Sequence, residues 1–293
     1  MLKSVKILSL CTMFVLLAIS TTFAAESKVD WAANYITVTG YGAAPATSTS
    51  TGQAMAMARR AAVVDGYRQM AEIINGVQVD SETTVKDLSV QSDIIKTKVS
   101  GIIRNARVVD EKQVGNGFEV TMTVPIFGVT GSGSVAETVL PKPEVKEPIP
   151  MPSTNVANTT PAGTQTIGSS AADPRGAADF KIQQEGVYTG VIIDCRGLGL
   201  KPAMSPVIKN AELESVYGYK NLDYDYVIAH GMAAYVQDIN KATRAGSHPL
   251  VIKAEKMVGL GVNPVLSMKD SDKMLLENQA THFLDKTNVV FLY

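Results

Sequence analysis

Cysteine is nearly missing from this chain, with two in 293 residues, at positions 11 and 195. Cys11 lies in an N-terminal apolar run, so removal of that run leaves Cys195 alone and no intramolecular disulfide can form. A small fold stapled by disulfides is therefore excluded, and the chain must rely on a buried core. Cys195 reads as a small buried hydrophobe on a strand, because a reactive thiol needs exposure and more basic company than Arg196.

Histidine is as sparse. His230, His248 and His282 have no spacing that gathers two on one helical face. Asp223, Asp225 and His230 are the one grouping with ligand-type side chains. Zinc wants three or four ordered ligands, so these are read as solvated loop groups. No metal and no cofactor are expected. A Gly-x-Ser-x-Gly elbow is missing, and Asp65 and Glu72 sit on an exposed helix side that suits salt-pairing better than acid–base work. Gly197-Leu-Gly199-Leu-Lys201 lacks the third glycine of a dinucleotide loop and the Gly-Lys-Ser/Thr of a P-loop, and Pro202 obstructs a following helix. It reads as a turn. The chain is expected to be non-enzymatic.

Charge of one sign is also lacking. There are 27 basic and 28 acidic residues, and loss of Lys3 and Lys6 with a leader leaves 25 against 28, a net of −3. With no basic run, nucleic acid and strong anionic-membrane binding are excluded as partners. The long apolar run, Ile7 to Ile19, has 13 residues, where a membrane span needs roughly 20.

What is present begins with that run. A basic start, the apolar stretch and Thr22-x-Ala24 make residues 1–24 a secretory signal peptide, cut after Ala24. Leu10 before Cys11, with a short apolar stretch upstream, argues against lipidation at Cys11. The mature chain has no expected transmembrane span, and its length predicts two domains, 27–128 and 179–293.

The first domain opens with a strand at Ile36–Gly42. A long Ala-rich helix over 53–75 places Met55, Ala58, Ala62, Gly66, Met70 and Ile73 on one face. Small residues in the middle of that face predict close approach to a sheet, and Gly66→Val is expected to cost roughly 1–3 kcal/mol by overpacking. Arg68 and Glu72 form an i,i+4 pair opposite. A strand over Val77–Val85, a helix over Asp87–Ser100 and a hairpin turned at Gly115-Asn-Gly117 complete a β-α-β-α-β-β unit. Residues 129–178, rich in Pro, Ser and Thr, predict a flexible interdomain linker. In the second domain, strands are expected at Val187–Asp194, Leu250–Val258 and Val289–Tyr293. A helix is expected over Ser271–Ala280, capped by Ser267 or Asp270. Tyr226–Ala245 stays open between helix and strand. The fold class is α+β, with the long helix packed on an antiparallel sheet and a second, mixed α+β domain.

Thr39-Gly-Tyr-Gly42, Ala58-Arg-Arg-Ala-Ala62, Asp65-Gly-Tyr-Arg68-Gln-Met-Ala-Glu72, Ile74-Asn-Gly-Val-Gln-Val79 and Gly117-Phe-Glu-Val-Thr-Met-Thr-Val124 make residues 36–127 resemble the LPP-twenty lipoprotein family. That family also includes the N-terminal domain of the flagellar assembly protein FlgT. Asp194-Cys-Arg-Gly-Leu-Gly-Leu-Lys-Pro-Ala-Met-Ser-Pro206 resembles the C-terminal part of uncharacterised secreted bacterial proteins carrying the same first unit. The resemblance implies a non-catalytic cell-envelope protein tied to the outer membrane or flagella, with envelope proteins or a second copy as partners.

Tyr217, Tyr219, Tyr224 and Tyr226, with Tyr235 nearby, form a candidate interface, because tyrosine suits a boundary between apolar and wet surroundings. The alternatives are a half-buried sheet face or a ligand-binding or hydrolytic pocket. That pocket would lie around Asp194, Arg196 and these tyrosines.

Overall fold

The computed structural model describes residues 27–48, 50–153 and 182–293. The expected signal peptide, Cys11 and the linker segment 154–181 lie outside the described residues.

In the first unit, β1 (Lys28–Asp30), β2 (Tyr35–Ala43), β3 (Arg107–Val114) and β4 (Gly117–Pro125) form an antiparallel sheet ordered β1-β2-β4-β3. The expected hairpin joins β3 to β4, with Gly115 taking the positive φ of 57° that the turn needs. Period-two alternation sends Ile36, Val38, Gly40 and Gly42 of β2 and Val120, Met122 and Val124 of β4 to one face. Against that face lies α1 (Thr51–Gly76), capped by the Ser50 hydroxyl, which accepts from the Gln53 N–H at 3.2 Å. Its buried residues are Ala58, Ala62, Gly66, Met70 and Ile74, so Ile74 and not Ile73 closes the stripe.

The contact is a seam of backbone against backbone. A Cβ at Gly40 would collide with the Ala62 carbonyl and Gly66 N, and one at Gly42 with the Ala58 carbonyl and Ala62 N. A Cβ at Gly66 would instead meet Met122 Sδ at 2.8 Å, the far end of a flexible side chain.

β1 pairs only with residues 35–37 of β2, leaving the edge beyond it open to pairing. Side chains close it. The Thr39 N–H donates to Ser27 Oγ (3.3 Å), and the Tyr41 N–H donates to Asp65 Oδ2 (3.1 Å). Burial raises the Asp65 carboxyl, but bonds from Arg68, the Tyr41 N–H and Gln69 outweigh it and hold it below its ordinary 3.8. A lowered folded-state value means that the contribution is present above the unfolded value and is lost as pH falls through the folded one. Asp65→Asn is therefore expected to lower the denaturation midpoint at neutral pH, with a deficit that shrinks as the pH falls below the ordinary carboxyl value of 3.8. Urea titrations of both proteins at neutral pH and below that value check this, and a deficit constant with pH would refute it.

Two expected elements are corrected. Val77–Val85 is not a strand but a tight loop held by one bridge, Gln78 to Thr84. The reason is Asp80, whose Oδ1 accepts from the Glu82 and Thr83 N–H groups and turns the chain. The single helix expected over Asp87–Ser100 is two, α2 (Val85–Gln91) and α3 (Asp93–Arg104). Ser92 ends the first and caps the second, and Thr84 with Asp87 makes a capping box for α2.

The second unit holds a parallel sheet ordered β8-β12-β5-β9: β5 (Gly190–Asp194), β8 (Ala234–Val236), β9 (Pro249–Lys253) and β12 (Val289–Leu292). The central strands read Gly-Val-Ile-Ile-Asp and Val-Val-Phe-Leu, continuous apolar runs that suit strands buried on both faces. A smaller mixed sheet is ordered β10-β11-β6-β7, with β6 (Ile208–Lys209), β7 (Ser215–Tyr217), β10 (Lys256–Val258) and β11 (Asn263–Val265). The strand expected over Leu250–Val258 is thus split between two sheets. The open segment, Tyr226–Ala245, takes in most of α5 (Tyr224–His230), then β8 and two short 3-10 turns. The last helix, α6 (Met268–Thr281), takes Ser267 as its cap, whose hydroxyl accepts from the Asp270 N–H at 3.0 Å.

The linker expectation fails for 129–153. α4 (Val135–Val139) packs against α3, and Val135, Ala136, Val139 and Leu140 are buried. The proline strap that follows is docked on the second unit. Proline cannot donate, which leaves its carbonyls to accept. Tyr219 OH donates to Pro141 O (2.6 Å) and Asn221 Nδ2 to Pro148 O (2.9 Å). The Glu147 N–H donates to Lys220 O (2.8 Å), and the Ser153 N–H to Asp272 Oδ1 of α6 (2.8 Å). The chain re-enters on the same helix, where the Glu185 and Gly186 N–H groups donate to the buried Glu277 carboxylate, both at 2.7 Å. The units also meet directly, through Ser205 N–H to Val79 O (2.7 Å) and Gly128 N–H to Ile228 O (2.9 Å). One hydrophobic cluster runs through both.

Candidate functional site

The joint between the units leaves a cleft of about 420 Å³. From the first unit come Trp31, Asn34 and Phe127; from the second come Tyr226, His230, Arg244, Lys286 and Asn288. Asn34 adopts the left-handed φ of 65°. Its amide pins the far wall, donating to Phe127 O and accepting from the Phe127 N–H, both at 2.9 Å. Trp31 is fixed by an edge-on contact with Tyr235, centroids 5.5 Å apart. On the other side Tyr226 stacks on His230 at 4.4 Å, one turn apart on α5.

Arg244 forms the floor. Its Nε donates to Thr287 O (2.7 Å), one terminal nitrogen to His230 O (2.8 Å), and the other to Gly231 O (2.6 Å) and the Thr287 hydroxyl. The guanidinium thus caps the C-terminus of α5, where the helix dipole favours a cation. Burial draws its pKa down, and among the described residues no carboxylate stands beside it to reverse that. Gly231, at φ 73°, lets the chain turn directly beneath Phe127.

Three of the four tyrosines expected at an interface are engaged within the molecule. Tyr217 is fully buried, its OH donating to Met232 O at 2.7 Å, and so offers no surface to a partner. Tyr235 is buried too, its OH accepting from the Ala203 N–H (3.1 Å) and donating to Ala203 O (2.8 Å). Tyr219 holds the proline strap, and Tyr224 lies under the Lys142 ammonium at 5.6 Å. Tyr226 alone of the four named tyrosines is exposed, and it lines the cleft.

Asp194 and Arg196 do not line the cleft. They close on each other, Nε to Oδ1 at 2.9 Å, and the guanidinium holds the Asp194 carboxyl below its usual range. Cys195 is buried and its thiol is pushed up to about 12 by desolvation, which makes it inert. Asp223 caps α5, Asp225 accepts from Thr130, and His230 faces Tyr226, so the three do not converge. Gly197 and Gly199 both take positive φ in the expected turn.

A groove of about 580 Å³ on the first unit runs past Tyr35, Arg107 and Gly131–Gly133. The N–H groups of Gly131 and Gly133 already donate to the Glu137 carboxylate, so its backbone donors are spent.

Residues 190–293 match a family model described as Treponema pallidum Tp0624, second domain. That stretch starts at β5 and ends beyond β12, taking in all four strands of the parallel sheet. It supplies the Tyr226–Asn288 side of the cleft, while Trp31, Asn34 and Phe127 lie outside it. No curated protein matches the chain. Among the described residues, no helix is long and apolar enough to cross a membrane.

The cleft itself was invisible in the sequence. Its residues come from five separated segments, and the one signal that pointed there was the tyrosine density that includes Tyr226.

Proposed function

We propose that this is a non-catalytic, exported bacterial envelope protein with a structural or adaptor role, whose first unit is LPP-twenty-like. Its partners would be other envelope proteins, at the outer membrane or a flagellar structure, or a second copy of itself. One observation carries the reading: a single core runs through both units, and the intervening strap is bonded down. A joint of that kind presents two surfaces at fixed geometry, which suits a spacer or adaptor. The groups best equipped for chemistry support it as well, since Asp194, Arg196 and Cys195 are closed on internal partners or buried. A secretory leader at residues 1–24 would export the chain, and no lipid is expected at Cys11. Fractionation of cells producing the full chain is expected to place a form lacking residues 1–24 in the periplasmic or envelope fraction. Full-length protein confined to the cytoplasm would overturn the reading.

A further inference from the structure

Among the residues lining the interdomain cleft there are two full cations, Arg244 and Lys286, and no carboxylate. All four hydrogen bonds of Arg244 go to neutral oxygens, which fix the guanidinium in place without neutralising it. A guanidinium has five N–H donors, so one on the nitrogen bound to His230 O is left over. Lys286 spends one of its donors on Thr281 O at 3.2 Å and has two more. Half-buried charge such as that of Arg244 is ordinarily paired, and among the described residues no carboxylate pairs with it. Trp31, Phe127 and Tyr226 add flat apolar walls to a volume of about 420 Å³, within the range of small-ligand sites, and domain joints are where such sites concentrate.

We propose that the cleft binds a small aromatic carboxylate, its charged end on Arg244 and Lys286 and its ring against Trp31 and Tyr226. The site needs both units, because the family-matched stretch contributes the cations and the first unit contributes Trp31 and Phe127. It goes beyond the envelope role and holds or fails wherever the protein resides.

Trp31 is the single tryptophan of the chain, so its emission reports on the cleft alone. The full mature chain is titrated with benzoate, with its neutral amide benzamide, and with inorganic phosphate, by Trp31 emission and by calorimetry. Saturable benzoate binding is expected, with benzamide and phosphate each about tenfold weaker or more, the loss of one charge-assisted contact or of the ring's burial. Lys286→Gln, at an exposed position that leaves Arg244 and its bonds in place, is expected to weaken benzoate about tenfold while the thermal midpoint stays put. Benzamide binding as tightly as benzoate would overturn the carboxylate, and phosphate binding as tightly would overturn the aromatic half. Heat-silent and emission-silent titrations with all three would overturn the site itself.

Discussion

Truncation after Asn288 is expected to abolish cooperative folding of the second unit. β12 sits between β5 and β8, pairing four residues with the former and three with the latter. Its removal leaves two strands with unmet backbone donors and acceptors inside the sheet, where water cannot replace them. Val289, Val290, Phe291 and Leu292 are all essentially fully buried, and each contributes about 1.5–3 kcal/mol by burial. Four such losses approach the roughly 5–15 kcal/mol that a domain holds in reserve. Circular dichroism of the shortened chain should show no sharp thermal transition in this unit, and a retained midpoint would disprove the central placement of β12. Because one core spans both units, the first is expected to lose stability with it.

Gly40→Val should be the most damaging single substitution in the first unit. The Cβ lands on the backbone of α1, at the Ala62 carbonyl and the Gly66 amide. Backbone in a 26-residue helix cannot step aside as a side-chain tip can, so α1 must lift off the sheet along its length. The cost is expected to exceed the roughly 1–3 kcal/mol typical of overpacking. Gly66→Ala, whose methyl would displace only Met122 Sδ, is expected to stay at the lower end of that range, and its helix propensity gain of about 1 kcal/mol offsets part of it. Chemical denaturation of the two variants decides the order, and equal midpoints would refute the seam.

The sequence was most legible where the signal is local. The alternation in β2 and β4, the small-residue stripe of α1 and the Ser267 cap of α6 are written in neighbouring residues, and the structure has them within a few positions. The glycine argument was half visible. Gly66 stands out because glycine is costly inside a helix, whereas Gly40 and Gly42 read as ordinary strand glycines. Only the pairing of the two elements shows that the strand side is the tighter one. Strand order in the second unit was not legible, since β5 and β12 are joined by pairing across nearly a hundred residues. The proline strap misled for a physical reason. Its composition predicts a free, extended spacer, but it is docked, and the side-chain donors that dock it belong to Tyr219 and Asn221 far along the sequence. The tyrosine cluster likewise announced a boundary between apolar and polar surroundings without saying that the boundary is internal.

Ser153 and Glu185 are both fastened to α6, one at Asp272 and the other at Glu277. Five helical steps separate the two anchors, about 7–8 Å along the axis. The 28 residues 154–181 therefore start and finish beside one rigid rod. Lengthening such an excursion costs little, about 0.6 kcal/mol for each doubling, because its ends are already held together. A tag, an inserted domain or a single backbone cut between the anchors would leave both halves bonded to the same helix, which makes this the natural point at which to load the molecule.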